Sequence, residues 1–315
     1  MELRGYLVGS FPRPEGLIKL LRDYSKGKTS FDKVEHEVKS TVNRLVKLQA
    51  ENGLAYVVDG MLLWDDLFRP LSTALDGLEV DGLSRWFDNN VFFKKLVVKN
   101  RLTFRQRLDA KFFNPDGVHA FKLILPDPYT AAVLSEDRWY NSIEKQAYDW
   151  AACLAQAASS LEKVEQLQLT APSLVFEKIP RDHLEIAKEC VRMVKEKVRC
   201  ELMLHMPFGN LSNILPEVLD FPADVIGVDV FKTRLNSLAE YSLDKRLYLG
   251  VLDGRNTLME DVETTVRILE GFFSKTGLKQ ADVGPSCELE FLPFESAEDK
   301  VKRVGEVLRR AAERL

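Results

Sequence analysis

The sequence lacks the features that mark several common classes of protein. No apolar run approaches the roughly 20 residues that a membrane-spanning helix needs. The 44 basic and 48 acidic residues are well mixed and leave a net charge of −4, which gives no electrostatic reason to expect nucleic acid or an anionic membrane as a partner. Neither a GxGxxG nor a GxxxxGK[ST] fingerprint occurs, so a Rossmann-type nucleotide site is not expected.

Cysteine is also scarce. The four cysteines are Cys153, Cys190, Cys200 and Cys287, and no two of them have CxxC spacing. The chain begins directly with a strand-like pattern rather than with a basic, apolar leader. These features predict a reduced, cytoplasmic protein.

What the sequence does contain is a repeated change from a buried strand to a polar loop. The stretch LYLGVLDGRN at 247–256 begins with apolar residues and then turns to Asp253, Gly254, Arg255 and Asn256. The same change recurs in ILPDPYT, QLTAPSL, LMLHMPFGN and VIGVDVFKTR. Because parallel barrels bring the C-terminal ends of their strands to one face, this repetition predicts a shared site there.

Eight strand-and-helix units predict one α/β domain, a (β/α)8 TIM barrel over residues 1–315. The predicted strands are 3–8, 55–59, 121–125, 166–169, 201–204, 225–228, 247–251 and 281–283. About 60–118 is too long for a barrel connection and is predicted to be an insertion after strand 2. Within it, the alternating stretch VVKNRLTFRQRL predicts a β-hairpin with Asn100 at its turn. The aromatic residues Trp64, Trp86 and Phe87 fit either stacking on a flat heterocycle or a small core of the insertion.

Several polar residues follow predicted strands and are candidates for binding a small molecule. Arg255 has the side chain to clamp a carboxylate, and an aspartate at a strand end either accepts from an amine or, more often, anchors its own loop. The candidate substrate-binding residues are Ser10, Arg13, Asp59, Asp253, Arg255 and Asn256.

His205, Asp229 and Cys287 follow three of the predicted strands and are all plausible zinc ligands. Each also has a structural explanation. His205 can satisfy backbone groups, Asp229 can pair with nearby basic residues, and Cys287 can be a small buried residue. Without a short-spaced ligand pair, the structural explanation is favoured over a metal site.

Five motifs together resemble the cobalamin-independent methionine synthase family: VGSFPRP at 8–14, RWFDNN at 85–90, QLTAPSL at 168–174, LGVLDGRN at 249–256 and SCELEFLP at 286–293. The resemblance implies a barrel fold and transfer of a methyl group from 5-methyltetrahydrofolate, or another donor, to a homocysteine thiolate activated on zinc. It also implies two kinds of barrel. The C-terminal kind carries the zinc and the homocysteine site, whereas the N-terminal kind has lost the metal and helps to hold the folate tail.

Matched position by position, this chain resembles the N-terminal kind. The histidine ligand matches His205, but the cysteine two residues later is replaced by Pro207, which has no ligating atom. The glutamate ligand matches the shorter Asp229, and the last cysteine matches Cys287. The acids that hold the homocysteine amine fall on Met61 and Thr170, and the histidine thought to be the general acid falls on Arg255.

The resemblance therefore implies a non-zinc subunit, or folate-tail-binding partner, of a separately encoded catalytic barrel. Methyl-folate would be the donor, and zinc is not favoured because one ligand is missing. Two alternatives stay open. One is a stand-alone zinc methyltransferase with a remodelled site of His205, Asp229 and Cys287, and the other is a relative that binds a small anion through Arg13 and Arg255.

Overall fold

The computed structural model describes residues 1–64, 66–108 and 120–315. The strands are Glu2–Gly5 (β1), Leu75–Arg85 (β2), Phe92–Phe104 (β3), Phe121–Pro126 (β4), Glu136–Asp137 (β5), Val164–Thr170 (β6), Glu201–Met206 (β7), Val225–Asp229 (β8), Arg246–Leu252 (β9) and Gln280–Pro285 (β10). The helices are Glu15–Ser25 (α1), Phe31–Glu51 (α2), Leu71–Ala74 (α3), Pro128–Leu134 (α4), Ile143–Ser159 (α5), Arg181–Lys195 (α6), Leu235–Leu238 (α7), Val262–Thr276 (α8) and Phe294–Arg314 (α9). Within these ranges, no helix has the length and apolar character to cross a membrane. The four cysteines are free thiols.

The core of the fold is a curled parallel sheet in the order β1-β10-β9-β8-β7-β6-β4. Strands β4 and β8 are buried at every residue, as expected for parallel strands that are covered on both faces. The outer helices are amphipathic. In α6, for example, Leu184, Ala187, Val191 and Val194 recur at helical spacing and are buried. The fold is thus an α/β architecture whose strand ends converge, as the sequence predicts.

The segment predicted as the second strand lies between the two edges of this sheet. The N–H of Ala55 donates to the carbonyl of Gly5 at 2.9 Å, and the N–H of Val57 donates to the carbonyl of Ala120 at 3.1 Å. Val57 also forms one parallel bridge with Phe121. The segment is shorter than the predicted 55–59 because left-handed backbone at Gly60, with φ of 71°, turns the chain away.

The antiparallel ribbon of β2 and β3 contains a correction to the sequence prediction. Asn100 lies inside β3, so the predicted turn at Asn100 is wrong. The chain reverses instead between β2 and β3, where the N–H of Trp86 donates to the carbonyl of Val91 at 2.8 Å. We call residues 86–91 the ribbon turn. The alternating pattern around Asn100 belongs to one long strand, and the turn-forming residues Asp88 and Asn89 lie earlier in the chain.

A polar network fills the N-terminal end of the sheet interior. The buried carboxylate of Asp282 accepts from Arg4 twice at 2.8 Å, from Tyr6 at 2.7 Å and from Arg246 at 3.0 Å. Arg4 also pairs with Glu201 at 3.1 Å. These groups satisfy one another, so this end of the sheet is structural and the opposite rim is the place to look for a site.

Candidate functional site

A cavity of about 630 Å³ opens at the C-terminal ends of the strands. Four parts of the chain build its wall: the loop after β1, the segment that contributes residues 61, 64 and 66–68, the ribbon turn with the start of β3, and the loop after β10. Ile124 of β4 and Thr170 of β6 also reach it. Ser10 and Arg13, which the sequence predicts as binding residues, therefore lie in the cavity wall, as do Trp64 and Trp86.

Glu288 is the most deeply buried acid of this wall, with 6 % of its surface exposed. Its Oε1 accepts a hydrogen bond of 2.6 Å from the indole N–H of Trp86. Burial, with a smaller contribution from the nearby charge of Glu290, raises the pKa of Glu288 to about 8. The absence of a side chain at Gly9 makes room for this residue, since a Cβ there would lie 2.4 Å from the Cβ of Glu288. Glu288 is therefore largely uncharged at neutral pH.

Glu290 is the second acid of the loop after β10. Burial raises the pKa of its carboxyl, while a hydrogen bond with the Ser10 side chain and the positive charge of Arg13 oppose that rise. The backbone joins the two loops as well, because the N–H of Leu289 donates to the carbonyl of Ser10 at 3.1 Å. The Ser10 side chain therefore positions the carboxyl group of Glu290 in the cavity wall.

Arg13 holds the backbone of the neighbouring wall. Its Nε donates to the carbonyl of Leu62 at 2.8 Å, and a terminal nitrogen donates to the carbonyl of Trp64. Asp59 acts in the same region: its Oδ1 accepts from the N–H of Met61 at 2.9 Å, and burial raises its pKa to about 7. Both residues fix the course of the chain beside the cavity.

The loop after β9 contains the other predicted binding residues. The carboxylate of Asp253 accepts from the N–H of Arg255 at 2.9 Å, and the side-chain oxygen of Asn256 accepts from the N–H of Leu258 at 3.0 Å. Glu260 accepts from the N–H of Asp253 at 2.8 Å. Asp253 and Asn256 therefore anchor their own loop, the commoner role of an aspartate or asparagine at a strand end.

Arg255 connects this loop to the ribbon turn. Its guanidinium donates to Asp88 at 3.0 Å and to the side-chain oxygen of Asn89 at 3.5 Å. It also lies over the ring of Phe208, with 5.5 Å between the guanidinium carbon and the ring centroid. The pair with Asp88 is solvent-accessible, since 26 % of the Arg255 side chain and 47 % of the Asp88 side chain are exposed.

The three candidate metal ligands lie near the C-terminal ends of three strands: His205 in β7, Asp229 at the end of β8 and Cys287 just after β10, which β9 separates from β8. His205 is fully buried, and burial, with a smaller contribution from Lys122, lowers its pKa to about 3. Burial raises the pKa of the Cys287 thiol well above its usual range, and the charges of Glu288 and Asp229 add to that rise.

Asp229 has both oxygens engaged by the backbone. They accept from the N–H groups of Phe208 at 3.2 Å and Phe231 at 2.9 Å, and burial raises the pKa of the carboxyl to about 6. Across residues 1–64, 66–108 and 120–315, no three His, Cys, Asp or Glu side chains form a group that would hold a metal ion. With Pro207 where the family has a cysteine, the residues present do not fit a zinc centre.

The sequence prediction missed Glu288 and Glu290. The SCELEFLP motif identifies them only as part of a family resemblance, although two acids spaced by two residues directly after a barrel strand are a usable signal for the C-terminal rim. Their convergence with Ser10 and Trp86 depends on contacts between distant segments, so spacing along the chain does not reveal it.

Comparisons with known proteins agree on one family. The family model described as "Cobalamin-independent synthase, N-terminal domain" matches residues 122–277. A protein named methionine synthase from Sulfolobus acidocaldarius is 23% identical over 303 residues, which cover 94% of this chain and 88% of the relative. One of the same name from Saccharolobus solfataricus is 21% identical over 304 residues, with 94% and 90% covered.

Solved structures show the same fold. A B12-independent methionine synthase from a Shewanella species, in complex with selenomethionine, superposes with a TM-score of 0.80 at 17% identity. A putative vitamin-B12-independent methionine synthase from Listeria monocytogenes gives 0.73 at 19% identity. Each alignment covers 99% of both chains.

Proposed function

Because the chain belongs to the cobalamin-independent methionine synthase family, we propose that it acts in methyl transfer to homocysteine as the non-zinc partner of a separately encoded catalytic barrel. The observation that carries this proposal is the state of three of the four positions that match the family's zinc ligands. Asp229 is committed to backbone N–H groups, Cys287 is a buried thiol, and Pro207 supplies no ligand. The match to the N-terminal-domain model supports the same assignment.

We further propose that residues 1–315 form one closed (β/α)8 barrel with an insertion at about 60–118, and that it works in the cytoplasm. The hydrogen bonds of Ala55 and Val57 to both edges of the curled sheet support closure, because they bridge β1 and β4. The antiparallel ribbon of β2 and β3 is the body of the insertion.

The proposed donor is a methyl-folate, whose anionic glutamate tail would contact Arg255. The present ion-pair partner of Arg255, Asp88, is exposed. Because exposed ion pairs contribute only about 0–1 kcal/mol to the stability of the fold, an anionic ligand can replace the carboxylate of Asp88 at little cost. Arg13 is a weaker candidate because its guanidinium already binds two backbone carbonyls. The proposal therefore places the tail at the outer rim.

Arg255→Ala is expected to weaken the apparent affinity for the folate donor in an assay that contains both barrels. The loss should be about 1.5–3 kcal/mol, or roughly 10- to 150-fold, because the contact is charge-assisted and partly desolvated. Turnover at saturating donor should change much less, since the residue acts in binding. The measurement is initial rate against donor concentration, with the partner barrel in excess.

Asp88→Asn is the matched control, because it breaks the same ion pair but leaves the guanidinium in place. Donor affinity should stay the same or improve in this variant. Equal losses in Arg255→Ala and Asp88→Asn would instead mean that the pair acts only by anchoring the ribbon turn, and the tail contact would be ruled out.

Zinc content provides a separate test. Purified protein dialysed against trace zinc should retain well under one equivalent, because the remaining groups do not make a three-ligand site. Cys287→Ala should leave that content unchanged. Stoichiometric zinc that disappears in Cys287→Ala would support the stand-alone methyltransferase with a remodelled His205, Asp229 and Cys287 site. A zinc-free chain that fails to co-purify with any catalytic-type barrel would point to the small-anion-binding relative.

A further inference from the structure

The ionisable side chains of the cavity wall are mostly acidic. Among the described residues that line it, Arg13 is the one basic residue, and its guanidinium donates to the carbonyls of Leu62 and Trp64. The acids of the wall are Glu15, Asp66, Glu288, Glu290 and Glu295. An anion placed here would meet like charges, whereas a cation would be favoured.

The rest of the wall is largely apolar and includes several aromatic side chains. Its aromatic residues are Phe11, Trp64, Phe68, Trp86, Phe92, Phe93 and Phe294. The volume of about 630 Å³ lies within the range of sites for drug-sized molecules. Aromatic faces favour apolar groups and also attract ammonium ions. The wall therefore offers an apolar enclosure that also contains carboxyl groups.

We propose that this cavity binds an amine with an apolar body, and that its ammonium group lies between the carboxyl groups of Glu288 and Glu290. The indole of Trp86 fixes one oxygen of Glu288, and the Ser10 side chain holds Glu290, so both acids are oriented before the ligand arrives. Pre-oriented groups bind more tightly because less conformational entropy is lost. The proposal stands on the cavity alone and does not depend on methyl transfer.

The test is isothermal titration calorimetry on the full chain at pH 7, with benzylamine, phenethylamine and hexylamine as probes and with benzyl alcohol and benzoate as uncharged and anionic counterparts. We expect at least one amine to bind at least tenfold more tightly than benzyl alcohol, and benzoate not to bind.

Glu288→Gln and Glu290→Gln should each weaken amine binding at least tenfold, because each removes one of the two carboxyl groups that hold the ammonium ion. Glu240→Gln, which neutralises an exposed glutamate outside the cavity, is the control and should change affinity less than twofold. The proposal fails if no amine binds, if benzyl alcohol binds as well as the amines, or if both cavity variants keep full affinity. Thermal melting of each variant verifies that it is folded. The binding test needs neither a second barrel nor a methyl donor, so its outcome is independent of the proposed role in methyl transfer.

Discussion

Lys300→Met is expected to lower the free energy of unfolding at pH 7 by about 3–5 kcal/mol, because it removes a fully buried charge and leaves the mostly buried carboxylate of Glu260 without its counter-charge. The Lys300 side chain has no exposed surface, and Nζ donates to both oxygens of Glu260 at 2.9 Å and to the carbonyl of Leu258 at 2.7 Å. Methionine keeps most of the volume and removes the charge. Urea unfolding measures the loss.

The same change should loosen the loop after β9. Glu260 accepts from the N–H of Asp253, so Lys300 indirectly positions Arg255. Lys302→Met is the matched control: Lys302 pairs with Asp299 on the same helix, but both side chains are about half exposed, and its loss should cost less than about 1 kcal/mol. Adding Glu260→Gln to Lys300→Met should recover much of the stability. A double variant no more stable than Lys300→Met would contradict the buried-charge explanation.

Glu288→Gln is expected to stabilise the protein at high pH. The folded-state pKa of about 8 lies above the ordinary value of 4.5, so between these values the folded state holds a proton that the unfolded chain has lost. Stability therefore falls as the pH rises through this window. Each pKa unit corresponds to about 1.4 kcal/mol. Allowing for relaxation of the protein around the ionised carboxylate, Glu288→Gln should raise the free energy of unfolding at pH 9 by about 2–4 kcal/mol.

At pH 5 the gain in the free energy of unfolding should fall below about 1 kcal/mol, because the carboxyl is protonated in the folded state and the pH lies only about half a unit above the ordinary pKa of 4.5. The amide oxygen of glutamine can still accept from Trp86, so the packing is preserved. The measurement is urea unfolding at pH 5, 7 and 9, with Glu240→Gln as the exposed control. The raised pKa values of Asp59 and Asp229 leave a residual slope in the variant. An unchanged pH dependence would show that Glu288 is ionised in the folded protein.

The parallel strands were predictable because each combines an apolar run with an abrupt polar end. Seven of the eight predicted strands appear in the sheet with small shifts at their ends, and the change at 247–256 corresponds to β9 and its loop. The exception is the segment at 55–57, where local sequence predicts a strand but the turn at Gly60 shortens the pairing to one bridge. Buried runs are a local property, and local patterns reveal them.

The partners of the polar residues were not predictable in the same way. Arg13 and Arg255 both lie in a polar loop that follows a predicted strand. In the structure, Arg13 donates to backbone carbonyls, whereas Arg255 pairs with Asp88 of the ribbon turn. The pairing partner of Arg255 is 167 residues away along the chain, and Glu288 meets Trp86 across 202 residues. Side-chain chemistry limits what such a residue can bind, but only the tertiary fold decides which partner it reaches.

Formation of methionine from homocysteine and a methyl-folate donor tests the proposed role most directly. The assay compares three samples: this chain alone, a catalytic-type barrel from the same genome that carries the complete His-x-Cys, Glu and Cys ligand set, and the two together. We expect no methionine from this chain alone and a lower apparent KM for the donor when both are present. Methionine made by the isolated chain, with turnover that is lost in Arg255→Ala, would contradict the partner role.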